Sequence, residues 1–407
     1  MRQRSLRIIF AANMFVMCYL FYMNGSSIGP AMLHKTKQLG DSVFNALRGS
    51  SSMRKASNPC AKRIVLFGIR QHWLQFGKEN PNYRHLVQFP RKFSCQNVGC
   101  SVFLDYTVLP RDIRDYDIVI FTNVYLWMTS DMWDWVQGNR SAGQRWAMIS
   151  LESPLNSVGI QPPKKYADVT FDWLGSYKSD SDLYMPYGYY EAFSKIFPPK
   201  VTDLSKYLTN KSKLIAWVGS NCDTVRMKIV EELKQFVHID TYGKCGETQL
   251  PWDDNEAVEN TLKKYHFYLS LENSCCNEYI TEKFWRTLDL GVVPVVMGPS
   301  VKDYLNVMPR QSFIHVNEFS TMKELAKYLI HLQLNTEEYL EYFRWRNSGK
   351  VVAISQEEQY VRPLTDATYC DVVHKYLHTD STHQRKLEYF GSQWHGSCSN
   401  CSVNLEG

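Results

Sequence analysis

Residues 265–285 read YHFYLSLENSCCNEYITEKFW, and the change of pattern within this stretch decides the fold. Its first part is a short apolar run, and His266–Leu271 is typical of a buried strand. Its last part begins at Thr281, a residue type that commonly caps helices, and predicts a helix over Thr281–Leu290. A buried strand followed closely by a helix is the repeating unit of α/β proteins.

Polar residues crowd the junction between this strand and this helix: Asn273, Tyr279, Glu282 and Lys283. Lys283 falls in the first helical turn, where the helix dipole favours acids, so a cation there indicates an anionic ligand nearby. Thr281 is predicted to cap the helix with its hydroxyl. The alternative that Lys283 is a solvated surface lysine stays open at this point.

A second strand-to-helix junction, earlier in the chain, has the same form. The predicted strand Leu214–Val218 runs into Gly219–Cys222, and Arg226 falls in the first turn of the next predicted helix. A guanidinium suits bidentate contact with phosphate oxygens. By itself, such an arginine is more often an ordinary residue of the helix surface.

Short apolar runs and helical patterns alternate on both sides of this region. The polar segment 197–213 divides the series into two halves, 60–200 and 201–346. This alternation predicts a two-domain α/β protein with parallel sheets and right-handed crossovers, and with a ligand site in the cleft between the halves. Pro294 either argues against the predicted strand Val292–Val296 or places that strand at a sheet edge.

In the first half, the predicted strand Arg145–Leu151 ends at Glu152, which is followed by Pro154. A carboxylate at the carboxyl end of a buried strand is placed for a cleft, where it can act as a general base toward an attacking hydroxyl. A capping or ion-paired glutamate is the alternative.

The N-terminus has the layout of a membrane anchor. Residues 1–7 are basic, residues 8–23 are apolar, and residues 24–59 are a polar segment that resembles a flexible stalk. We expect a cytoplasmic tail, a transmembrane signal-anchor and a stalk, with the body in the lumen. A cleaved signal peptide is the alternative, and both send the body into the secretory pathway.

Composition and cysteine content agree with this location. The 407 residues carry a net charge of +5 that is not concentrated in one block, which argues against nucleic acid as a partner. Ten of the eleven cysteines follow the apolar segment, and an oxidising lumen favours disulfides. Cys398 and Cys401 form a Cys-x-x-Cys motif, for which a structural disulfide is favoured over zinc. Sequons at Asn139, Asn210 and Asn400 are consistent with a lumenal body.

Asp180-Ser181-Asp182 matches the Asp-x-Asp pattern by which many sugar transferases hold a divalent metal on a diphosphate. A three-residue pattern is weak support for a metal site. The glycine-rich fingerprints of P-loop and dinucleotide-binding proteins are missing from the sequence.

Taken together, these residues resemble the α1,3-fucosyltransferases of glycosyltransferase family 10. The resemblance rests on the strand with Ser-x-Glu-Asn-Ser, the Tyr-Ile-Thr-Glu-Lys helix start and Gly291–Val296, and other segments agree in order over residues 62–345. It implies a GT-B fold, with two Rossmann-like domains that face a cleft. Leu271 stands where many members have Phe, the adjacent Cys275-Cys276 is unusual, and the extension 347–407 has no assignable motif.

The resemblance also implies roles for site residues. Glu152 corresponds to the general base of an inverting transfer from GDP-fucose. Arg226 and Lys283 correspond to the cations that face the diphosphate. Asn273, Tyr279 and Glu282 correspond to the residues that hold the ribose and the fucose, with Glu282 accepting from a sugar hydroxyl. The family is metal-independent in mechanism, so no cofactor and no metal are expected, and the Asp-x-Asp segment is then not a metal site.

The expected reaction is α1,3 transfer of fucose to GlcNAc of N-glycans or lactosamine-type glycans, at the Golgi membrane in a single-pass type II topology. The expected partners are GDP-fucose, a glycan or glycoprotein acceptor and the membrane. A protein O-fucosyltransferase of the same family is the nearest alternative. A sulfotransferase and a catalytically silent lectin or scaffold are alternatives from other classes.

Overall fold

The structure is a computed structural model that describes residues 60–68, 71–107, 110–122, 130–156, 169–194, 203–222, 225–250, 255–355, 358, 361–378, 385–386, 394, 396–399 and 401. The chain from Cys60 onward forms one compact unit. The predicted tail, anchor and stalk, residues 1–59, lie outside the described residues. Within the described residues, no helix combines the length and apolar content that crossing a bilayer requires.

The first half contains a seven-stranded sheet. The strands of this half in chain order, of which all but β6 and β9 belong to the sheet, are β1 Ala61–Phe67, β2 Arg91–Cys95, β3 Cys100–Thr107, β4 Ile118–Thr122, β5 Arg145–Ser150, β6 Thr170–Phe171, β7 Trp173–Ser176, β8 Leu183–Tyr184 and β9 Gly188–Ala192. The sheet order is β2-β3-β1-β4-β5-β7-β8. All neighbours are parallel except β2, which runs antiparallel to β3 at one edge.

The second half contains a five-stranded, all-parallel sheet. The remaining strands are β10 Lys213–Val218, β11 Asp240–Tyr242, β12 Tyr265–Leu271, β13 Cys275–Cys276, β14 Val293–Met297, β15 Ile314–His315, β16 Gly349–Ala353, β17 Arg385–Lys386 and β18 Cys398–Ser399. The order β11-β10-β12-β14-β15 is that of a doubly wound sheet. Every residue of β12 is buried, as expected of a central parallel strand that is covered on both faces.

Helices connect the strands. They are α1 Gln71–Glu79, α2 Ser130–Gly138, α3 Val225–Lys234, α4 Asn255–Leu262, α5 Glu282–Asp289, α6 Val301–Val307, α7 Met322–Leu334, α8 Thr336–Glu341 and α9 Asp366–His378. Short 3-10 helices lie at Arg84–Val87, Pro110–Ile113, Pro154–Asn156, Ser205–Tyr207, Val316–Glu318, Arg344–Asn347 and Arg362–Leu364. Local capping explains several starts: Ser300 and Asp303 form a capping box before α6, and the Thr321 hydroxyl accepts from the backbone N–H of Glu324 at α7.

The predicted α/β class with two largely parallel sheets is confirmed, and the predicted elements of the second half match within a few residues. The placement of Pro294 at a sheet edge is wrong, because β14 lies between β12 and β15. Proline is accommodated there because β15 is two residues long and first pairs at Val295, so Pro294 has a paired residue only on the β12 side. The domain boundaries 60–200 and 201–346 stay predictions.

The chain after the second sheet returns to the first. Strand β16 pairs antiparallel with β9, and helix α9 packs on the first sheet, where Asp366 forms an ion pair with Arg91. The described residues form five disulfides, and of these Cys95–Cys370 links β2 of the first sheet to α9: Cys60–Cys100, Cys95–Cys370, Cys222–Cys245, Cys275–Cys401 and Cys276–Cys398. The two cysteines of the Cys-x-x-Cys motif are therefore structural, but each bonds to one of the adjacent cysteines beside Asn273 and not to the other.

Candidate active site

The second sheet presents its ligand-binding edge at the position where the strand order reverses. Strands β10 and β12 are neighbours in the sheet. The connection that follows β10 leads to β11 on one side of this pair, and the connection that follows β12 leads towards β14 on the other side. In open parallel sheets, ligands bind beyond the carboxyl ends of the strands at such a point. Arg226 follows β10, and Asn273 follows β12, so both predicted residues lie at this edge.

Glu152 follows β5 of the first sheet, and its carboxylate contacts residues of the second half. The Tyr279 hydroxyl donates to Glu152 Oε1 at 2.7 Å, and Asn273 Nδ2 donates to the same oxygen at 3.3 Å. The backbone N–H of Ser153 also donates to Oε1, at 2.8 Å. The structure thus joins Glu152 to two of the other predicted site residues, from which it is separated by 121 and 127 residues in the chain.

Tyr279 is buried against Tyr177 and Tyr187, with ring centroids 5.0 Å and 6.3 Å away. Burial, with nearby Tyr187 and Glu152, raises the pKa of Tyr279 well above its ordinary value, so its hydroxyl stays protonated and acts as a donor. The resemblance assigned Tyr279 to the ribose or the fucose. In the structure its hydroxyl is hydrogen-bonded to the predicted base.

Lys283 is not a solvated lysine, because carboxylates and a hydroxyl surround its ammonium. Nζ lies 3.4 Å from Glu272 Oε2, 2.8 Å from Thr281 Oγ1 and 3.0 Å from Glu282 Oε1. Burial opposes the charge of Lys283, but the carboxylates of Glu272 and Glu282 outweigh burial and hold its pKa above the usual value. Lys283 is therefore a permanent cation at the start of α5.

Arg226 is also buried, with 5% of its surface exposed, so the alternative of an ordinary surface arginine is wrong. Its guanidinium donates to the backbone carbonyl of Asn221 at 3.3 Å. Its positive charge partly opposes the rise in the pKa of Lys283 that Glu272 and Glu282 cause, because the two cations lie close enough to interact. Two neighbouring cations at a sheet's carboxyl edge suit a diphosphate.

Thr281 occupies the N-cap position of α5, as predicted, but its hydroxyl makes no capping hydrogen bond. The hydroxyl instead donates to Glu272 Oε2 at 2.9 Å, and the Thr281 backbone N–H donates to Glu272 Oε1 at 2.7 Å. The Thr281 hydroxyl therefore bonds to the buried Glu272 carboxylate instead of to a backbone N–H of the helix. The sequence patterns did not indicate Glu272, although it stands beside Asn273 in the stretch 265–285.

The aspartates of the Asp-x-Asp segment have partners of their own. Asp180 contacts Lys178, and Asp182 accepts from the backbone N–H of Leu174 and lies 3.8 Å from Lys375. In the part of the chain that is described, no group of three His, Cys, Asp or Glu side chains is arranged to hold a metal ion. The expectation of a metal-free reaction stays a prediction. Asp182 and Lys375 line a polar cavity beside β8 that contains none of the six predicted site residues.

The C-terminal extension packs beside residues of the site, which no sequence motif predicted. Strand β18 pairs with β13 just after Asn273, and Trp394 packs on Tyr177 at 5.6 Å between ring centroids. The adjacent cysteines and the Cys-x-x-Cys motif were the available signal, but their pairing depends on long-range geometry.

Comparisons with known proteins agree with the two-part architecture. Residues 72–188 match the family described as "Fucosyltransferase, N-terminal", and residues 208–392 match "Glycosyltransferase family 10 (fucosyltransferase) C-term". Both matches are to fucosyltransferase families. The chain belongs to glycosyltransferase family 10, as the sequence motifs indicated.

Relatives of this chain include fucosyltransferases of vertebrates. It is 42% identical to alpha-(1,3)-fucosyltransferase 4 of Bos taurus over 218 residues, and this alignment covers 53% of this chain and 53% of that protein. It is 39% identical over 212 residues to 3-galactosyl-N-acetylglucosaminide 4-alpha-L-fucosyltransferase FUT3 of Homo sapiens, with 51% of this chain and 55% of that protein covered. The chain spans about half the length of the curated relatives it matches.

A crystal structure of an alpha1,3-fucosyltransferase with GDP-fucose is similar at a TM-score of 0.47 and 15% identity, over 82% of this chain and 96% of that one.

Proposed function

We propose that this chain is an inverting fucosyltransferase that moves fucose from GDP-fucose to a hydroxyl of GlcNAc, in α1,3 linkage, on N-glycans or lactosamine-type glycans. One observation carries the proposal. The Glu152 carboxylate of the first half is hydrogen-bonded by Asn273 and Tyr279, which flank the cation-rich edge of the second half. A base and a diphosphate site therefore face one another, as a displacement reaction requires.

The chemistry follows from the positions of these groups. Glu152 removes the proton from the acceptor hydroxyl as its oxygen attacks the anomeric carbon of fucose. The bond from that carbon to the GDP oxygen breaks on the opposite face, so a β-linked donor gives an α-linked product. Arg226 and Lys283 offset the negative charge that develops on the departing GDP.

The hydrogen bonds of Glu152 distinguish its two oxygens. Asn273, Tyr279 and the Ser153 backbone N–H all donate to Oε1. We assign proton removal to Oε2, because Oε1 is held by donors that fix the carboxylate in place. Glu282 accepts from Lys283, and in the donor complex its role is to accept from a fucose hydroxyl.

The proposal includes the wider setting of the reaction. Two Rossmann-like halves in a GT-B arrangement bind acceptor and donor on opposite sides of the cleft. The reaction needs no metal cofactor. The chain is a type II Golgi membrane protein with a lumenal catalytic body, in keeping with its five disulfides and with the apolar segment 8–23.

An acceptor panel tests the proposal. The secreted body of the protein, from Cys60 to Gly407, is incubated with GDP-fucose and one acceptor at a time: N-acetyllactosamine, an N-glycan core glycopeptide or an unglycosylated folded domain. GDP release and product mass are measured with and without EDTA. We expect acceptor-dependent GDP release with a glycan, unchanged by EDTA, and a single added fucose.

Transfer only to the unglycosylated domain would replace the glycan acceptor with a protein hydroxyl. Failure to bind GDP, measured by calorimetry on the same preparation, would overturn the donor assignment itself.

A further inference from the structure

Glu272 is a buried acid that the mechanism above does not use. It directly follows β12, and its carboxylate is fully buried, with 0% of its surface exposed. It receives three hydrogen bonds, from the backbone N–H and the hydroxyl of Thr281 and from the ammonium of Lys283. All three partners act as donors, which is the arrangement of an ionised carboxylate, although burial raises the pKa of Glu272 above its usual value.

The surroundings of Glu272 fit this side chain closely. Gly298 has a φ of +149°, and a Cβ built there would lie 2.8 Å from the Glu272 Cβ. The backbone of this neighbouring loop therefore approaches Glu272 as closely as it does only because residue 298 is a glycine. Burying a carboxylate is costly unless it is paired, and an apolar residue would fill the space at lower cost. A role beyond packing is the simplest explanation for an acid here.

The hydrogen bonds of Lys283 indicate what that role is. An ammonium has three donors, and those of Lys283 go to Glu272, Thr281 and Glu282. Glu272 and Thr281 are buried, and they are joined to one another by the Thr281 hydroxyl. The Glu282 side chain is 23% exposed, so its contact is the one that faces solvent and can be exchanged.

We propose that Glu272 is a positioning residue for fucosyl transfer. Together with Thr281 it holds two of the three hydrogens of the Lys283 ammonium, so that the third passes from Glu282 to the diphosphate when the donor binds. This exchange frees the Glu282 carboxylate for the sugar. The inference rests on the proposed function, since it assumes that Lys283 meets the diphosphate of the donor.

The charges at the edge support this role. Arg226 and Lys283 repel one another, and the Glu272 carboxylate offsets that repulsion from the buried side. Without Glu272, the Lys283 ammonium has Glu282 as its remaining acid partner among its described contacts. The pairing of Lys283 with Glu282 then competes with the contact of Lys283 to the diphosphate and with that of Glu282 to the fucose.

A double-mutant cycle tests the proposal: Glu272→Gln, Lys283→Ala and the double variant, with Glu318→Gln as a control for loss of an acid at an exposed ion pair. The measurements are kcat/KM for GDP-fucose, the affinities for GDP and for guanosine, and thermal stability. We expect Glu272→Gln to lower kcat/KM by about 10- to 100-fold. We expect GDP affinity to fall while guanosine affinity stays within about twofold, because guanosine has no diphosphate for Lys283 to meet.

In the Lys283→Ala background, Glu272→Gln should lower kcat/KM by no more than about threefold, because its effect passes through Lys283. The proposal would be overturned if the double variant lost kcat/KM by the product of the two single losses. It would also be overturned if Glu272→Gln lowered thermal stability and left kcat/KM unchanged. If Glu272→Gln does not fold, Thr281→Val gives the same cycle by removing the hydroxyl that joins the two side chains. A wild-type protein that binds no GDP would instead refute the proposed function and is recognised before any variant is made.

Discussion

The hydrogen bond from Tyr279 to Glu152 gives a sharp test of how the base is held. Tyr279→Phe removes one hydroxyl and leaves the packed ring in place against Tyr177 and Tyr187. If the hydroxyl positions the base, the variant loses rate in the chemical step. If the hydroxyl instead binds the ribose or the fucose, as the family resemblance implied, the variant loses donor affinity.

The size of the effect follows from the contact. A hydrogen bond to a charged group contributes about 1.5–3 kcal/mol net. Glu152 Oε1 keeps its contacts with Asn273 and with the Ser153 backbone N–H in the variant, so we expect the lower part of that range, about 1.5–2 kcal/mol. This corresponds to a loss of about 10- to 30-fold in kcat.

The assay measures kcat and the KM for GDP-fucose at saturating acceptor, together with GDP affinity by calorimetry. Tyr339→Phe is the matched control, since Tyr339 is equally buried and its hydroxyl donates to the backbone carbonyl of His266 at 3.0 Å, on the far end of β12 from the site. The control should lose stability and keep its kcat. An unchanged kcat with a raised KM for GDP-fucose in Tyr279→Phe would refute the positioning of Glu152 by this hydroxyl.

Three further predictions concern the body of the protein. Replacing Cys398 and Cys401 with serine should lower the free energy of unfolding, measured by urea denaturation, by about 2–5 kcal/mol for each lost disulfide. The same change should raise the KM for GDP-fucose, because β18 pairs with β13 beside Asn273. An unchanged KM would contradict this coupling between the extension and the site. Burial lowers the pKa of His315, whose ring donates to the Pro299 carbonyl and accepts from the Asn317 backbone N–H. As the pH falls below about 6.5, the histidine is therefore protonated in the unfolded chain before it is protonated in the folded protein, and the folded protein loses stability in that pH range. His315→Gln should flatten the fall of melting temperature between pH 7 and pH 5, and an unchanged slope would remove His315 as its source. Asn139 is buried with its amide donating to the Trp135 carbonyl, so glycopeptide mass spectrometry of the folded, secreted protein should find it unmodified, whereas a glycan there would contradict its placement.

Sequence reasoning succeeded where local pattern determines position. Glu152, Arg226 and Asn273 each follow a strand whose apolar run is unmistakable, and the carboxyl ends of parallel strands are where sites form. The residue types then suggested their chemistry: a carboxylate for a base and a guanidinium for phosphate.

What the sequence did not reveal depends on contacts between distant parts of the chain. Glu272 stands in the decisive stretch, but its role depends on which donors the fold brings to its carboxylate. For Pro294 an edge position is one of two expectations from sequence, because the shortness of the neighbouring strand β15 is not visible in the segment around Pro294. The cysteines near the C-terminus form disulfides with cysteines more than a hundred residues earlier in the chain. Many different pairings are compatible with the same sequence.

A long separation in sequence also explains why the contact between Tyr279 and Glu152 was not expected. Tyr279 and Glu152 are separated by 127 residues, and only the closure of the two halves places the hydroxyl against the carboxylate. No periodicity or spacing carries that information.

Glu152→Gln tests the central claim most directly. Fucosyl transfer and GDP affinity are measured on the variant and on Glu278→Gln, which removes another acid of the same region whose carboxylate accepts from the Ser179 backbone N–H. If Glu152 is the general base, its variant loses transfer by about 10²- to 10⁴-fold and binds GDP as tightly as the wild type, while Glu278→Gln retains transfer. Transfer by Glu152→Gln at the wild-type rate would contradict the account.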